Sequence, residues 1–186
     1  MCGRPEHEGL RDGIGLVPCV PARKELYFLC GFAGGCCASI PMETLFESYI
    51  ASKLMKAMAG TIYHVSVQDS TYHLFDFPRR FSMRPDIVVR NKKDGTCFVL
   101  DTKWKVLSEQ QFNYGISQSD MYQMFAYQKK YDAENVRLIY PMTNRLSPKK
   151  PILYMAKDGV QVHVEFVDLY DIRNSINGLI GRIMTA

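Results

Sequence analysis

Apolar and polar positions change rhythm several times along the chain, and each change marks an element. From Ser39 to Gly60, "SIPMETLFESYIASKLMKAMAG", apolar residues recur at helical spacing. Leu45, Tyr49 and Met55, with Phe46, Ile50 and Leu54, predict a helix capped by Ser39, with Pro41 in its first turn and Gly60 at its end. Glu43 and Glu47, four residues apart, share another face of that helix. "TIYHVSVQ" and "TYHLFDF" read as two strands joined around Asp69 and Ser70, after which Pro78, Arg79 and Arg80 break the pattern. Ile87, Val88 and Val89 form the next strand, "NKKDGT" supplies an Asp-Gly turn, and "CFVLDTKW" is the return strand of a hairpin.

The rhythm then returns to helical in "SQSDMYQMFAYQKKYD", with Ser119 or Asp120 as cap and Gln123 and Tyr127 four apart on one side. "VRLIY" is a short buried strand stopped by Pro141, and a loop with Pro148, Lys149, Lys150 and Pro151 follows. "VQVHVEFVDL" sets Val160, Val162, Val164 and Phe166 against Gln161, His163 and Glu165, the alternation of a half-buried strand. "YDIRNSINGLIGRIM" closes with a helical stripe of Ile172, Ile176, Leu179 and Ile183. Helix, strands, helix, strand, strand, helix is the order of an α/β fold with a mixed sheet flanked by helices. Residues 1–40 are rich in glycine and cysteine without sustained period. They predict a poorly patterned and poorly ordered segment ahead of one ordered domain, 41–186.

Composition narrows the class. The 186 residues are 47% hydrophobic and 23% charged, within the range of a folded domain and outside that of a disordered or fibrous chain. A net charge of +4 suits a polyanionic partner without requiring one. Five of the six cysteines, Cys2, Cys19, Cys30, Cys36 and Cys37, lie in the first forty residues, with no CxxC pair or histidine at zinc spacing. They read as reduced thiols. The uncharged stretch "LYFLCGFAGGCCASI" is shorter than a membrane span requires and begins too far along the chain for a signal peptide. A cytoplasmic location, with no membrane association, is the expectation. No Gly-rich P-loop, Gly-x-Ser-x-Gly elbow or Cys-His arrangement points to nucleotide, serine or cysteine hydrolysis. His64, His73 and His163 lie on strand patterns with no second ligand at useful spacing.

Chemistry concentrates in "RPDIVVRNKKDGTCFVLDTKWKVL", residues 84–107. A strand period of two puts Asp101 and Lys103 on one face, with Leu100, Thr102 and Trp104 on the other. The Asp-Gly turn can bring Asp86 to the same sheet end as Asp101. Two carboxylates held close repel unless a cation lies between them, and magnesium, which uses one or two carboxylates and keeps waters, is the natural cation. A lysine beside it can orient the attacking water or stabilise charge building on a phosphoryl oxygen. That is the chemistry of phosphodiester hydrolysis, although a surface hairpin with a solvated ion pair would carry the same letters.

Further blocks decide between those readings. "METLFESYI", "MRPDIVV", "LDTKWK", "SDMYQMFAYQKKY" and "LIYP" resemble, in order and over roughly residues 41–141, the PD-(D/E)xK nuclease superfamily and, within it, the McrC-like nuclease subunits of McrBC 5-methylcytosine restriction systems. The resemblance implies a restriction-endonuclease-like core and a DNA endonuclease dependent on Mg2+, for which Mn2+ can substitute. Asp86 and Asp101 become the metal-binding carboxylates and Lys103 the catalytic lysine. Glu47 is either an acidic residue reaching the metal or its waters, or a solvated helix glutamate. Gln123 and Tyr127 match a Q-x-x-x-Y element that touches DNA or braces Lys103, against a surface glutamine and a core tyrosine. Arg84, Arg90 and Lys105 are candidate DNA contacts.

The resemblance also implies a GTP-driven AAA+ partner like McrB, to which recognition of methylated cytosine belongs. The family's longer amino-terminal docking region is not recognisable in residues 1–40, which leaves a relative shortened at that end, a fragment with an unrelated start and a stand-alone nuclease as equal readings. The alternative is a catalytically inactive or truncated module of the same fold that serves assembly or nucleic-acid binding. The joint presence of Asp86, Asp101 and Lys103 argues against it. RNA or DNA ends remain open as substrates, and no separate base-reading element is visible outside the core.

Overall fold

The computed structural model describes residues 26–27, 40–143, 146 and 152–185. Of the sequence expectations, the Ser39 cap, the loop at Pro148–Pro151 and five of the cysteines lie outside them. β1 (Leu26–Tyr27) and β2 (Ile40–Pro41) form a two-residue antiparallel bridge just ahead of α1 (Met42–Ala57). There follow β3 (Tyr63–Val67), β4 (His73–Phe75), β5 (Arg80–Ser82), β6 (Ile87–Asn91) and β7 (Cys97–Thr102). The chain closes with α2 (Gln118–Tyr131), β8 (Asn135–Pro141), β9 (Ile152–Met155), β10 (Gln161–Val167) and α3 (Ile172–Met184).

Six strands make one mixed sheet in the order β3-β6-β7-β8-β10-β9. β7–β8 and β8–β10 are parallel and the other pairs antiparallel. Every residue of β7 and β8 is buried, as central strands covered on both faces must be. Alternation divides the side chains between two cores. Val88, Cys97, Val99, Val136 and Leu138 meet Met124, Tyr127 and Tyr131 of α2. Ile87, Val89, Phe98, Leu100 and Ile139 meet Phe46, Ile50 and Leu54 of α1 and Ile176, Leu179 and Ile183 of α3. The result is a mixed sheet sandwiched between α2 and the α1–α3 pair. Among the described residues no helix is long and apolar enough to cross a membrane, and Cys97 is a buried free thiol.

Several expectations need correction. On α1 only the row Phe46, Ile50, Leu54 faces the sheet, joined by Ala51 and Met58, whereas Leu45, Tyr49 and Met55 are exposed. The helix is apolar around much of its circumference, so period alone could not choose the row that packs. α2 starts at Gln118 with Ser117 at the cap position, two residues before Ser119, the earlier of the two expected caps. β3 and β4 are consecutive but unpaired: β3 pairs with β6, and β4 with β5 in a separate hairpin that turns where Pro78 breaks the pattern. β5 and the edge strand β9 went unread. On β10, Glu165 is buried although its position reads as a polar exposed one.

Glu165 is buried because Arg137, which lies on the neighbouring strand opposite His163 and is 1% exposed, requires a counter-charge. Arg137 Nη1 lies 2.5 Å from Glu165 Oε1, Arg137 Nη2 donates to the Arg182 carbonyl at 2.9 Å, and Arg182 Nη2 lies 2.8 Å from Glu165 Oε2. Removing one member of such a pair strands a charge in low dielectric, which costs about 3–5 kcal/mol. Glu165→Leu is therefore expected to lose stability on that scale in urea denaturation, and adding Arg137→Met should recover most of it. A single variant within about 1 kcal/mol of wild type would show that Arg137 is solvated by other means.

Candidate active site

The β6–β7 hairpin sets the geometry. Its turn uses Asp94, which accepts from Thr96 N–H and Oγ1 at 2.9 and 2.7 Å, and Gly95 at φ 80°, a left-handed conformation that glycine adopts without strain. The strands then pair with Ile87 opposite Leu100. Continuing that register by one residue sets Asp86 opposite Asp101. Like charges in that relation repel across a Cβ separation of about 5 Å.

Each carboxylate has its own support. Thr102 donates to Asp86 Oδ2 from both its backbone N–H and its Oγ1, at 2.7 and 2.8 Å. The Asp86 carbonyl accepts from Gln68 N–H at 2.9 Å, so the residue is fixed from two sides. Asp101 continues the α2-facing row of β7 and is 2% exposed. Its Oδ2 lies 2.6 Å from Lys103 Nζ in an ion pair, and no other donor among the described residues reaches that buried oxygen. Burial first, then the Asp86 charge, push the Asp101 carboxyl up to about 7 against the pull of Lys103. Lys103 moves up as well: burial works against its charge, and Asp101, Asp120 and Asp86 together outweigh burial.

α2 holds the lysine from the other side. Lys103 Nζ donates to Gln123 Oε1 at 3.2 Å, and Gln123 Nε2 donates to the Tyr127 hydroxyl at 2.8 Å. Asp120 Oδ1 is 3.9 Å from the same ammonium. Tyr127 is both a core residue and the end of this chain of bonds. Burial raises its phenol, and the Arg84 backbone N–H also reaches it. α1 contributes Glu47, bonded by Gln68 Nε2; burial raises its carboxyl, and the nearby Asp86 charge adds to that.

The outer surface of this cluster is a cleft of about 570 Å³ lined by Glu43, Glu47, Asp86, Lys103, Lys105 and Asp120, with Trp104 packed on Phe46 at 5.4 Å in its wall. Lys105 donates to the Gly115 carbonyl at the rim. Asp86, Asp101, Lys103, Glu47, Gln123 and Tyr127 thus come together. Arg84 is exposed at the edge, while Arg90 sits 6.0 Å over the Tyr131 ring, roughly four strand residues or 13 Å from Asp86. Gln68 and Thr102, which fix the position of Glu47 and Asp86, were missed, as was Asp120 as a site residue. Gln68 carries no period signal, and Thr102 acts through its backbone as much as its hydroxyl.

Among the described residues no three His, Cys, Asp or Glu side chains converge as a ready metal cage. The donors on offer are the facing pair Asp86 and Asp101. They suit a hard, oxygen-preferring cation that takes one or two carboxylates and completes its shell with water, and the buried Asp101 Oδ2, met only by the Lys103 ammonium, is the observation that fits.

Asp101 also has a consequence for stability without metal. Its folded pKa, about 7, lies above the ordinary carboxylate value, so the unfolded chain gives up a proton that the folded chain keeps. Stability from this group is complete below about pH 4 and is lost as pH rises through about 7. In chelator, Asp101→Asn is therefore expected to be more stable than wild type at pH 8, by on the order of a few kcal/mol, and to gain less at pH 5. Urea titrations at the two pH values check this; a variant less stable than wild type at pH 8 contradicts it.

No curated protein matches the chain. Among solved structures, a chain of the refined half-complex from a tetradecameric assembly of Thermococcus gammatolerans McrB AAA+ hexamers with bound McrC is similar in fold, with a TM-score of 0.62 and 19% identity over 78% of this chain. The similarity spans 34% of that chain, so this chain covers about a third of its length. The family description McrBC 5-methylcytosine restriction system component matches residues 38–141, more than half the sequence and all of the site just described. On that match, the chain belongs to the family of McrBC 5-methylcytosine restriction system components.

Proposed function

We propose that the chain is a metal-dependent DNA endonuclease subunit of a McrBC-like restriction system, built on a PD-(D/E)xK core. The observation that carries this reading is the pairing of Asp86 and Asp101 across β6 and β7, with Lys103 held between Asp101 and Gln123. Asp86 and Asp101 would hold Mg2+ or Mn2+, which supplies Lewis-acid polarisation of the scissile phosphate and a lowered pKa for the attacking water.

The chain's own residues do the rest. Thr102 holds the Asp86 carboxylate in place for its ligand role. Lys103, kept protonated by its acidic neighbours, is positioned to donate toward a phosphoryl oxygen as negative charge builds there. Gln123 fixes the ammonium's direction and Tyr127 fixes Gln123, so the lysine is pre-organised and does not search for its partner. Glu47, with its raised carboxyl beside Asp86, is suited to take or hold a proton of the attacking water. The cleft is rich in carboxylates and would repel a phosphate alone, which is why the cation and the lysine are both required for DNA to enter.

The solved assembly pairs McrC with McrB AAA+ hexamers, and the same kind of partner, a GTPase motor, is proposed to present DNA to this site and to choose methylated sequence. Lys103→Ala, Asp86→Asn and Asp101→Asn are each expected to cut turnover on circular and linear DNA about a hundredfold or more, with the fold intact. Cleavage should require magnesium or manganese, while calcium binds without supporting it. Undiminished cleavage by Lys103→Ala, or robust cleavage in excess chelator, would overturn the mechanism.

A further inference from the structure

The β4–β5 hairpin has no role in the catalysis described above, and its surface is unlike the rest of the chain. Phe77 at its turn is 98% exposed, Phe81 71% and Phe75 55%, with Leu74 beside them. Phe75 and Phe81 meet edge to face at 5.8 Å, so the rings form one apolar patch. Phe81 holds φ 59°, a left-handed conformation disfavoured for a bulky side chain, and in it the ring stays in solvent. Exposed apolar clusters of this kind mark surfaces that meet a partner.

Charge narrows the partner. The hairpin and the segment leading from it carry Arg79, Arg80 and Arg84, all exposed. Arg79 is spent internally, on His73 Nδ1 at 3.1 Å and the Thr71 carbonyl at 3.2 Å. Arg80 and Arg84 make no side-chain ion pair among the described residues. The hairpin's one acid, Asp76, is neutralised by Lys130 of α2 at 2.7 Å, which also braces the hairpin on the domain. The surface is therefore positive and aromatic together.

Position narrows it further. A groove of about 310 Å³ runs beside the hairpin, lined by Leu74, Phe81 and Arg84 on one side and Gln123 and Tyr127 on the other. Gln123 is the residue that holds Lys103, so the groove is one side chain away from the candidate catalytic cluster. We propose that this hairpin is a DNA wedge: Arg80 and Arg84 take backbone phosphates of a duplex lying along the groove, and Phe77 and Phe81 insert at a base step and unstack it. Apolar side chains used in this way open and bend the duplex, while the arginines supply affinity without sequence information. The inference rests on the reading of the site as a DNA nuclease and adds to it a means of engaging the substrate that is separate from the metal.

Binding of the whole chain to a short duplex carrying 2-aminopurine, with calcium in place of magnesium and at low salt, tests it. Wild type should bind and raise the aminopurine fluorescence as the base unstacks. Phe77→Ala should abolish that rise while leaving the salt dependence of binding and the melting temperature unchanged, since the ring has no packing to lose. Arg80→Ala with Arg84→Ala should weaken binding and flatten the slope of log affinity against log salt by about two, one for each phosphate that is no longer neutralised. Equal binding and fluorescence in wild type and all variants overturns the wedge and leaves the hairpin to a protein partner. Binding by wild type with no aminopurine response overturns it too. If wild type binds no DNA at all, DNA as the substrate of the site falls, and the wedge with it.

Discussion

Asp86 and Asp101 face each other at the end of β6 and β7, and one of them is out of water. Such a pair is a standing electrostatic cost, because burial and the opposing charge both disfavour ionisation of Asp101. A fold under no functional constraint would replace one of the two with a neutral residue. Here the surrounding elements accommodate the pair: Thr102 fixes Asp86, Lys103 offsets Asp101, and α2 is placed so that Gln123 and Asp120 both reach the lysine. α1 and Gln68 close the other side around Glu47.

The sheet explains why this is possible. β6 and β7 are locked between apolar layers along most of their length, so their ends are rigid platforms for side chains that would otherwise move apart. The same two-sided burial serves Arg137 and Glu165 on β8 and β10, where opposite charges meet directly and Arg182 completes the pairing. Two buried charge groups in one domain thus have different meanings. The Arg137–Glu165 pair joins opposite charges, whereas Asp86 and Asp101 are like charges with Lys103 as their close cation.

Much of this arrangement can be read from sequence because local rules carry it. An Asp-Gly turn between two β-branched runs specifies the hairpin and its register, and the register alone brings the two aspartates opposite each other. Gln123 and Tyr127 follow from helical spacing, and the α3 stripe from its period. What sequence could not supply depended on tertiary choice. The packing row of α1 was ambiguous because two adjacent rows are apolar. β5 is three exposed residues after a proline, and β9 is a short run beyond a loop, so neither carries a strong period. Glu165 reads as a solvent position until Arg137, twenty-eight residues away, is known to reach it from the neighbouring strand. Gln68 and Asp120 enter the site only through contacts between elements, and the aromatic hairpin is conspicuous only once its exposure is known.

If the carboxylate pair is a divalent-metal site, metal binding reads it out apart from activity. Electron paramagnetic resonance titration of the whole chain with manganese should show one bound ion per chain in wild type. That binding should be lost in Asp86→Asn and in Asp101→Asn while the helical content by circular dichroism stays the same. Manganese held equally well by both variants would contradict a metal site at this pair and require the metal, and the chemistry, to be placed elsewhere.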